Sequence, residues 1–353
     1  MEKSFWQGKR VFLTGDTGFK GAWLSLWLHK LGAVVKGYAL DPLTQPSLYK
    51  IANISEIQEH IDGDIRDYEK LQQELTNFQP EIVFHLAAQA LVRESYQNPL
   101  YTYETNVMGT ANLLEAVRNT VSVKAVLVIT TDKCYENKEW HWAYRENDRL
   151  GGHDPYSNSK ACTELVVDSY RKSFLKEKNI AVATARAGNV IGGGDWSKDR
   201  LIPDCLRSIK NKEKIVIRSP KAVRPWQHVL EPLSGYLKLA QKLYLEGQVW
   251  TEAWNFGPDE DSIISVKEIV EILCNDFNAE YEVKADNIFH EATLLKLDCS
   301  KVKQKLIWYP KLTIKESLNL TTDWYKEYWY KEYWENGKMD GFVYYQIENY
   351  ESL

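Results

Sequence analysis

Apolar runs and stretches with helical spacing alternate along the first half of the chain. Arg10-Val11-Phe12-Leu13-Thr14 is a short strand ending at a glycine, and Phe19 to Leu31 carries apolar residues at helical spacing. Val34 to Leu40 reads as a second strand, Glu81 to Ala87 as another after a polar helix, then Ala125 to Thr130, with Ile180 to Arg186 the last of the set. A strand can be apolar at every position only when both its faces are buried, so the pattern predicts a parallel sheet covered by helices on each side. The expected class is α/β, doubly wound, with a smaller C-terminal lobe. That lobe begins after about Ala187, where Gly192-Gly193-Gly194-Asp195 breaks the rhythm and short elements richer in Pro, Trp and Arg follow.

Near the end, Trp324 to Trp334 nearly repeats a five-residue aromatic and charged unit, too short for a solenoid. A terminal helix packed on a neighbour or on another subunit is the preferred reading, with a ligand platform as the alternative.

Composition narrows the functions. At roughly 150 residues per domain, 353 residues make about two packed units. Lys and Arg total 44 against 49 Asp and Glu, a net charge of −5, which offers no positive field to hold a nucleic acid. No apolar run is long enough to span a membrane, and Met1 to Trp6 lacks the basic-then-apolar layout of a secretory signal, so a cytoplasmic location is expected. The five cysteines (Cys134, Cys162, Cys205, Cys274, Cys299) form no C-x-x-C pair and read as reduced thiols, mostly in the core. The seven histidines neither cluster with cysteine nor repeat at four-residue spacing, so no metal is expected.

The first strand-to-helix turn reads Thr14-Gly15-Asp16-Thr17-Gly18-Phe19-Lys20-Gly21. Glycines three apart allow a tight turn and let amide groups at the helix start approach a pyrophosphate, which points to a Rossmann-type dinucleotide site. It is not a P-loop, because the lysine precedes the last glycine and no Lys-Ser/Thr pair follows. Asp41, at the end of the second strand, suits a ribose hydroxyl pair and favours NAD over NADP, although a turn-capping role before Pro42 explains it equally. Asp64 and Ile65 would reach the adenine edge; Asp64 as the N-cap of a helix starting near Arg66 is the rival reading.

Tyr156 and Lys160 lie four apart, on one face of a helix that follows the strand ending Thr130-Thr131-Asp132. None of the other 20 tyrosines has lysine at that offset. Bringing a phenol from about 10 to near neutrality takes roughly 4 kcal/mol. A positive charge about 4 Å away at an effective dielectric near 20 supplies roughly that. Lys160 is thereby expected to make Tyr156 a proton acceptor for a hydroxyl whose carbon loses hydride.

These residues resemble the extended short-chain dehydrogenase/reductase enzymes that act on nucleotide sugars, over nearly the whole chain. Gly15-x-x-Gly18-x-x-Gly21, Asp64-Ile65, His85-Leu86-Ala87-Ala88-Gln89, Thr105-Asn106-x-x-Gly109-Thr110, Thr131-Asp132 and Tyr156-x-x-x-Lys160 fall in that family's order. Within it, Ala187 to Trp196, Asp199 to Asp204 and Arg224 to Leu233 are similar to the 4,6-dehydratase branch that takes CDP-glucose. The resemblance implies NAD held by Gly15, Thr17, Gly18, Phe19, Gly21, Asp41, Asp64, Ile65, Leu86, Ala87, Ala88 and Thr105 together with Tyr156 and Lys160. It implies an NAD-binding domain over 1–188, with segments near 225–260 returning to it, and a mainly nucleotide-sugar-binding lobe and tail over 189–353.

It also implies a reaction in three steps, C4 oxidation, water loss across C5 and C6, and hydride return to C6. Tyr156 and Thr131 handle the C4 oxygen. Related dehydratases read Thr-Asp-Glu at the strand end, with Asp as acid and Glu as base; here the string is Thr131-Asp132-Lys133. Asp132 is then the acid, and Lys133 either the base at C5 or a substrate anchor. Arg218 and Arg224 are placed to grip the diphosphate, with Asn189, Arg200, Leu201, Ile202, Pro203 and His228 lining the nucleotide and Gln89 and Arg93 near the sugar. Each arginine, taken without the family, reads sooner as a solvated surface residue. The family pairs subunits through helices beginning near Asn98 and Tyr156, so a homodimer or homotetramer is expected. Two rivals stay open, a nucleotide-sugar 4-epimerase and a non-catalytic dinucleotide sensor.

Overall fold

Alternate side chains of the apolar strands enter two separate cores. In β1 (Arg10–Thr14), Val11 and Leu13 pack on one side of the sheet and Phe12 on the other. In β5 (Ala125–Ile129), Ala125, Leu127 and Ile129 face the first core while Val126 and Val128 face the second. This two-sided burial is why these strands carry no polar position until their ends.

The computed structural model describes residues 2–284, 294–330 and 339–353. With β2 (Val34–Ala39), β3 (Glu59–Asp62), β4 (Ile82–His85) and β6 (Ala181–Ala187), these strands form a seven-stranded parallel sheet. The seventh member is the strand Ala253–Phe256, and the order runs from it through β6, β5, β4, β1 and β2 to β3. The order reverses between β1 and β4, which opens a crevice at the carboxyl ends of the strands where ligands bind in such sheets. The expected α/β doubly wound fold is what is observed.

Two expectations need correction, and one strand escaped the apolar pattern. Ile180 to Arg186 is not the last strand, because Ala253–Phe256 returns to pair with β6. The edge strand β3, Glu59-His60-Ile61-Asp62, is polar; with a partner on one side only, it is not held to the apolar rule of the central strands. The cap of the helix Tyr68–Phe78 is Asp67, whose side chain accepts from the Lys70 amide, and Asp64 instead pairs with Arg66 at 2.7 Å.

The C-terminal lobe contributes small paired strands, among them Val190–Ile191 beside Gln227–His228 and Val223–Pro225 beside Ile263–Ser265. Its aromatic segment lies in the helix Ile314–Tyr330 and packs within this chain; Lys331 to Trp334 fall outside the described residues. Trp324 is fully buried against Gly193, where a Cβ would sit 1.9 Å from the indole, and Trp196 closes on it edge-on at 5.6 Å. The Trp23 indole donates to the Gly193 carbonyl, and the Tyr325 hydroxyl donates to that of Asp195. The helix Asp340–Ser352 then lies on the helix Phe19–Lys30, with Glu351 accepting from Trp27 and Lys30. Among the described residues no helix is long and apolar enough to cross a membrane.

Replacing Trp324 with Ala leaves a void under Gly193 and is expected to cost about 3–5 kcal/mol. A clear fall in the urea midpoint checks this; an unchanged midpoint would show that the aromatic helix is not part of the core.

Candidate active site

The turn after β1 can be this tight only with glycine. Gly15 has φ +77°, and a Cβ there would lie 2.6 Å from the Ala87 amide nitrogen; at Gly21 it would lie 2.1 Å from the Gly15 carbonyl oxygen. The turn therefore sits directly against the segment after β4 and the start of the helix Phe19–Lys30, whose first amides have no acceptor within the helix. Thr17 anchors the turn by donating to the Leu40 carbonyl at 2.8 Å. Beneath it, the fully buried Asp16 accepts from Gln58 and, at 2.8 Å, from His60, whose imidazole it holds above the usual histidine range.

A cavity of about 2020 Å³ opens from this turn across the strand ends into the C-terminal lobe. Every site residue singled out from the sequence lines it except His228. At one end stand Gly15, Thr17, Gly18, Phe19 and Gly21, with Asp41 exposed beyond β2 and Asp64 beyond β3. Ile65, Leu86, Ala87 and Ala88 form an apolar wall, and Thr105 adds a buried hydroxyl with no partner. A glycine cradle, a carboxylate after β2 and an idle hydroxyl on an apolar wall fit a dinucleotide.

The strand end after β5 builds the reactive part. Thr131 donates to Asp132 at 3.0 Å and accepts from the Lys133 amide, which fixes the short turn Asp132–Cys134. Across from it the helix Pro155–Tyr170 starts at Pro155, capped by Asp154. This presents Tyr156, 8 % exposed, to a hydrogen bond with Thr131. One turn on, Lys160 donates to the Ile129 carbonyl at 3.3 Å. Asp132 is buried with Oδ2 unpartnered, and Gly188 makes room for it, since a Cβ there would lie 1.9 Å from that oxygen. The half-buried Lys133 ammonium has no hydrogen bond or ion pair among the described residues.

The charge balance differs from the arithmetic done on the sequence. Burial pushes Tyr156 up to about 12, with the Thr131 hydrogen bond and the charge of Arg200 pulling back, and Lys160 is not among the groups that lower it. Burial brings Lys160 itself down to about 8. The spacing thus put the pair on one helix face but overstated what the ammonium does alone.

At the other end, Arg218 pairs with Asp199 at 3.2 Å, Arg93 with the same carboxylate at 3.6 Å, and Arg200 with Asp195 at 3.2 Å. Arg224, 8 % exposed, donates to the Val223 carbonyl. Asn189, Leu201, Ile202 and Pro203 line this end, while the Gln89 amide, though at the wall, is engaged by Leu91 and Thr102. His228 belongs to the core: it is fully buried, meets the Trp23 ring edge-on at 5.9 Å, and burial lowers it to about 3. Arg224 and Trp226 reach the cavity, but the chain turns into the core after them, and Gln227, His228 and Val229 are all buried away from it.

Lys20 is a cavity residue that sequence reasoning passed over. Burial and the cations Arg200 and Lys160 push it down to about 7. Its signal was present, a lysine inside the glycine turn, but it served only to exclude a P-loop.

The switch-point crevice, the glycine turn and the Tyr156–Lys160 pair beside Thr131 are the parts of a dinucleotide-dependent short-chain dehydrogenase/reductase. Residues 12–321 match the GDP-mannose 4,6 dehydratase family, and the chain belongs to that family. It is 54% identical over 333 residues to a CDP-glucose 4,6-dehydratase of Salmonella typhimurium, covering 92% of this chain and 93% of that one. Its fold is similar to a Streptomyces venezuelae dTDP-glucose 4,6-dehydratase solved with NAD bound (TM-score 0.78, 24% identity, 93% and 100% of the two chains). It is similar also to a UDP-glucose 4-epimerase from Thermotoga maritima (TM-score 0.78, 22% identity, 90% and 99%).

The Asp16–His60 pair gives a stability prediction. His60 is raised in the folded protein, so its contribution is complete below the unfolded value of 6.5 and is lost as pH rises through the folded value. The melting temperature is expected to drop across that interval, and His60→Gln should flatten this part of its pH profile.

Proposed function

We propose that the chain converts CDP-D-glucose to CDP-4-keto-6-deoxy-D-glucose with NAD as a cofactor that is regenerated in each cycle, a hydro-lyase reaction. The observation that carries the reading is the buried, half-partnered Asp132 beside the Thr131–Tyr156 hydrogen bond. An epimerase needs the phenol and the lysine but has no use for an acid at that point, and elimination of water does. The choice of CDP-glucose is supported by the name of the Salmonella relative.

Bound NAD⁺ would supply a hydride acceptor for C4, the hydride for C6 afterwards, and a cationic ring near the phenol. Gly15, Gly18 and Gly21 would hold its pyrophosphate and Asp41 its ribose hydroxyls, with Thr105, Leu86, Ala87 and Ala88 lining the rest of its site. Tyr156 accepts the O4 proton while Thr131 bonds the same oxygen. With C4 a ketone, the C5 proton is acidic. Lys133, which must be neutral at that moment, takes it as Asp132 gives a proton to the departing C6 hydroxyl. Lys133 returns the proton to C5 when hydride reaches C6. The protons gained by Tyr156 and lost by Asp132 balance through solvent. Arg218 and Arg224 hold the diphosphate, which would displace Asp199 from Arg218. Asn189, Arg200 and Leu201 to Pro203 line the nucleotide, and Gln89 and Arg93 the sugar.

The reading divides the chain into an NAD-binding part, 1–188 with returning segments near 225–260, and a nucleotide-sugar lobe over 189–353. It makes the protein a cytoplasmic enzyme supplying a deoxysugar precursor for surface polysaccharide. A homodimer or homotetramer through the helices beginning near Asn98 and Tyr156 is supported by the exposed Leu100, Met108 and Leu165 on neighbouring turns.

The test is incubation with NAD⁺ and CDP-, dTDP-, GDP- or UDP-hexoses, with mass detection of a product lacking one water. Only the CDP sugar is expected to react, and C4 inversion without water loss would favour an epimerase. Tyr156→Phe should lower turnover by about 10²–10⁴-fold. Lys133→Met should slow deuterium uptake at C5 by a similar factor if Lys133 is the base, and hardly at all if it is an anchor.

A further inference from the structure

Glu164 lies one helical turn past Lys160, as Lys160 lies one past Tyr156, so phenol, ammonium and carboxylate share one face of the helix Pro155–Tyr170. The carboxylate is 5 % exposed and both its oxygens are engaged. Oε1 accepts from the Thr130 hydroxyl and Arg186 Nε, and Oε2 from the Thr184 hydroxyl and the second arm of the Arg186 fork. The remaining Arg186 nitrogen donates to the Tyr135 hydroxyl and the Glu146 carbonyl. Thr130 immediately precedes Thr131, while Thr184 and Arg186 belong to β6. One carboxylate thereby ties the helix of Tyr156 to two strand ends at the level of the reacting groups.

Buried ion pairs are a weak source of stability, since a well-packed apolar pair of similar volume often serves as well. We propose that Glu164 is a positioning residue for the reaction: it holds Tyr156 and Lys160 in register with Thr131 and sets a negative charge behind Lys160. The inference rests on the reading of this site as a hydride-transfer centre.

The groups facing Lys160 come from four elements. Glu164 stands on its own helix, Cys134 after β5, the neutral His85 at the end of β4 and Lys20 on the glycine-turn helix. Burial drives Lys160 down, and Glu164 is the first of the groups that oppose it. Without Glu164 the lysine loses its proton at lower pH, and the positive charge one turn from Tyr156 goes with it. Removing Arg186 together with Glu164 deletes the ion pair without leaving a stranded charge.

Two variants separate this role from plain packing. In Glu164→Gln, and in the double variant Glu164→Gln with Arg186→Met, the Lys160 titration is followed by trace acetylation and peptide mass spectrometry across pH. It is expected to move down by about one pH unit. The alkaline limb of kcat/KM for CDP-glucose should move with it, and kcat should fall while KM holds. A double variant that melts cooperatively yet keeps the wild-type titration and limb overturns the proposal. If the double variant does not fold, Glu164→Asp decides: it keeps the charge but shortens the reach to Thr130 and Thr184. It should retain the titration and lose kcat, and unchanged kcat overturns the proposal. A wild-type chain that releases no water from CDP-glucose would sink the reading of function, and the acetylation shift would still decide the place of Glu164.

Discussion

The strand Ala125–Ile129 is buried on both faces, so the first polar side chains it can carry are those past its carboxyl end. Four polar side chains follow there in succession, Thr130 to Lys133. Thr130 turns back to Glu164, Thr131 meets Tyr156, Asp132 keeps one oxygen free and Lys133 reaches into open space. Burial that excludes polar groups from the strand also raises the cost of leaving any of them unpaired at its end. The two oxygens of Glu164 are both satisfied, whereas one oxygen of Asp132 is not.

Much of this was legible in the order of residues. Continuous apolar strands announce a two-sided sheet because no other arrangement buries every position, and the glycine turn could be assigned because strand and helix flank it. The Tyr156–Lys160 spacing fixed a shared helix face. What escaped depended on distance in three dimensions. The strand Ala253-Trp254-Asn255-Phe256 is four residues long and carries an asparagine, so nothing local marks it as sheet. Asp16 and His60 meet across 44 positions. His228 sits in a string that resembles a binding motif, yet its ring is packed in the core against Trp23. Spacing likewise gives Tyr156 a lysine neighbour, but only burial pushes the phenol up to about 12 and the ammonium down to about 8.

Three of the arginines that line the cavity are already answered by carboxylates. Asp199 stands between Arg93 and Arg218, and Asp195 holds Arg200. A guanidinium fork that rests on a carboxylate keeps the geometry it needs for a phosphate, so these arginines wait in place instead of sweeping through solvent.

The packing of Asp340–Ser352 on Phe19–Lys30 reaches into how the molecule is made. Trp27 and Lys30 find Glu351 only after 324 and 321 further positions of chain have been made. Until then a helix rich in tryptophan and leucine, the one that begins at the glycine turn, has its outer side uncovered. The nascent chain must shelter that side in some other way, and loss of the helix Asp340–Ser352 would strike the amino-terminal half first.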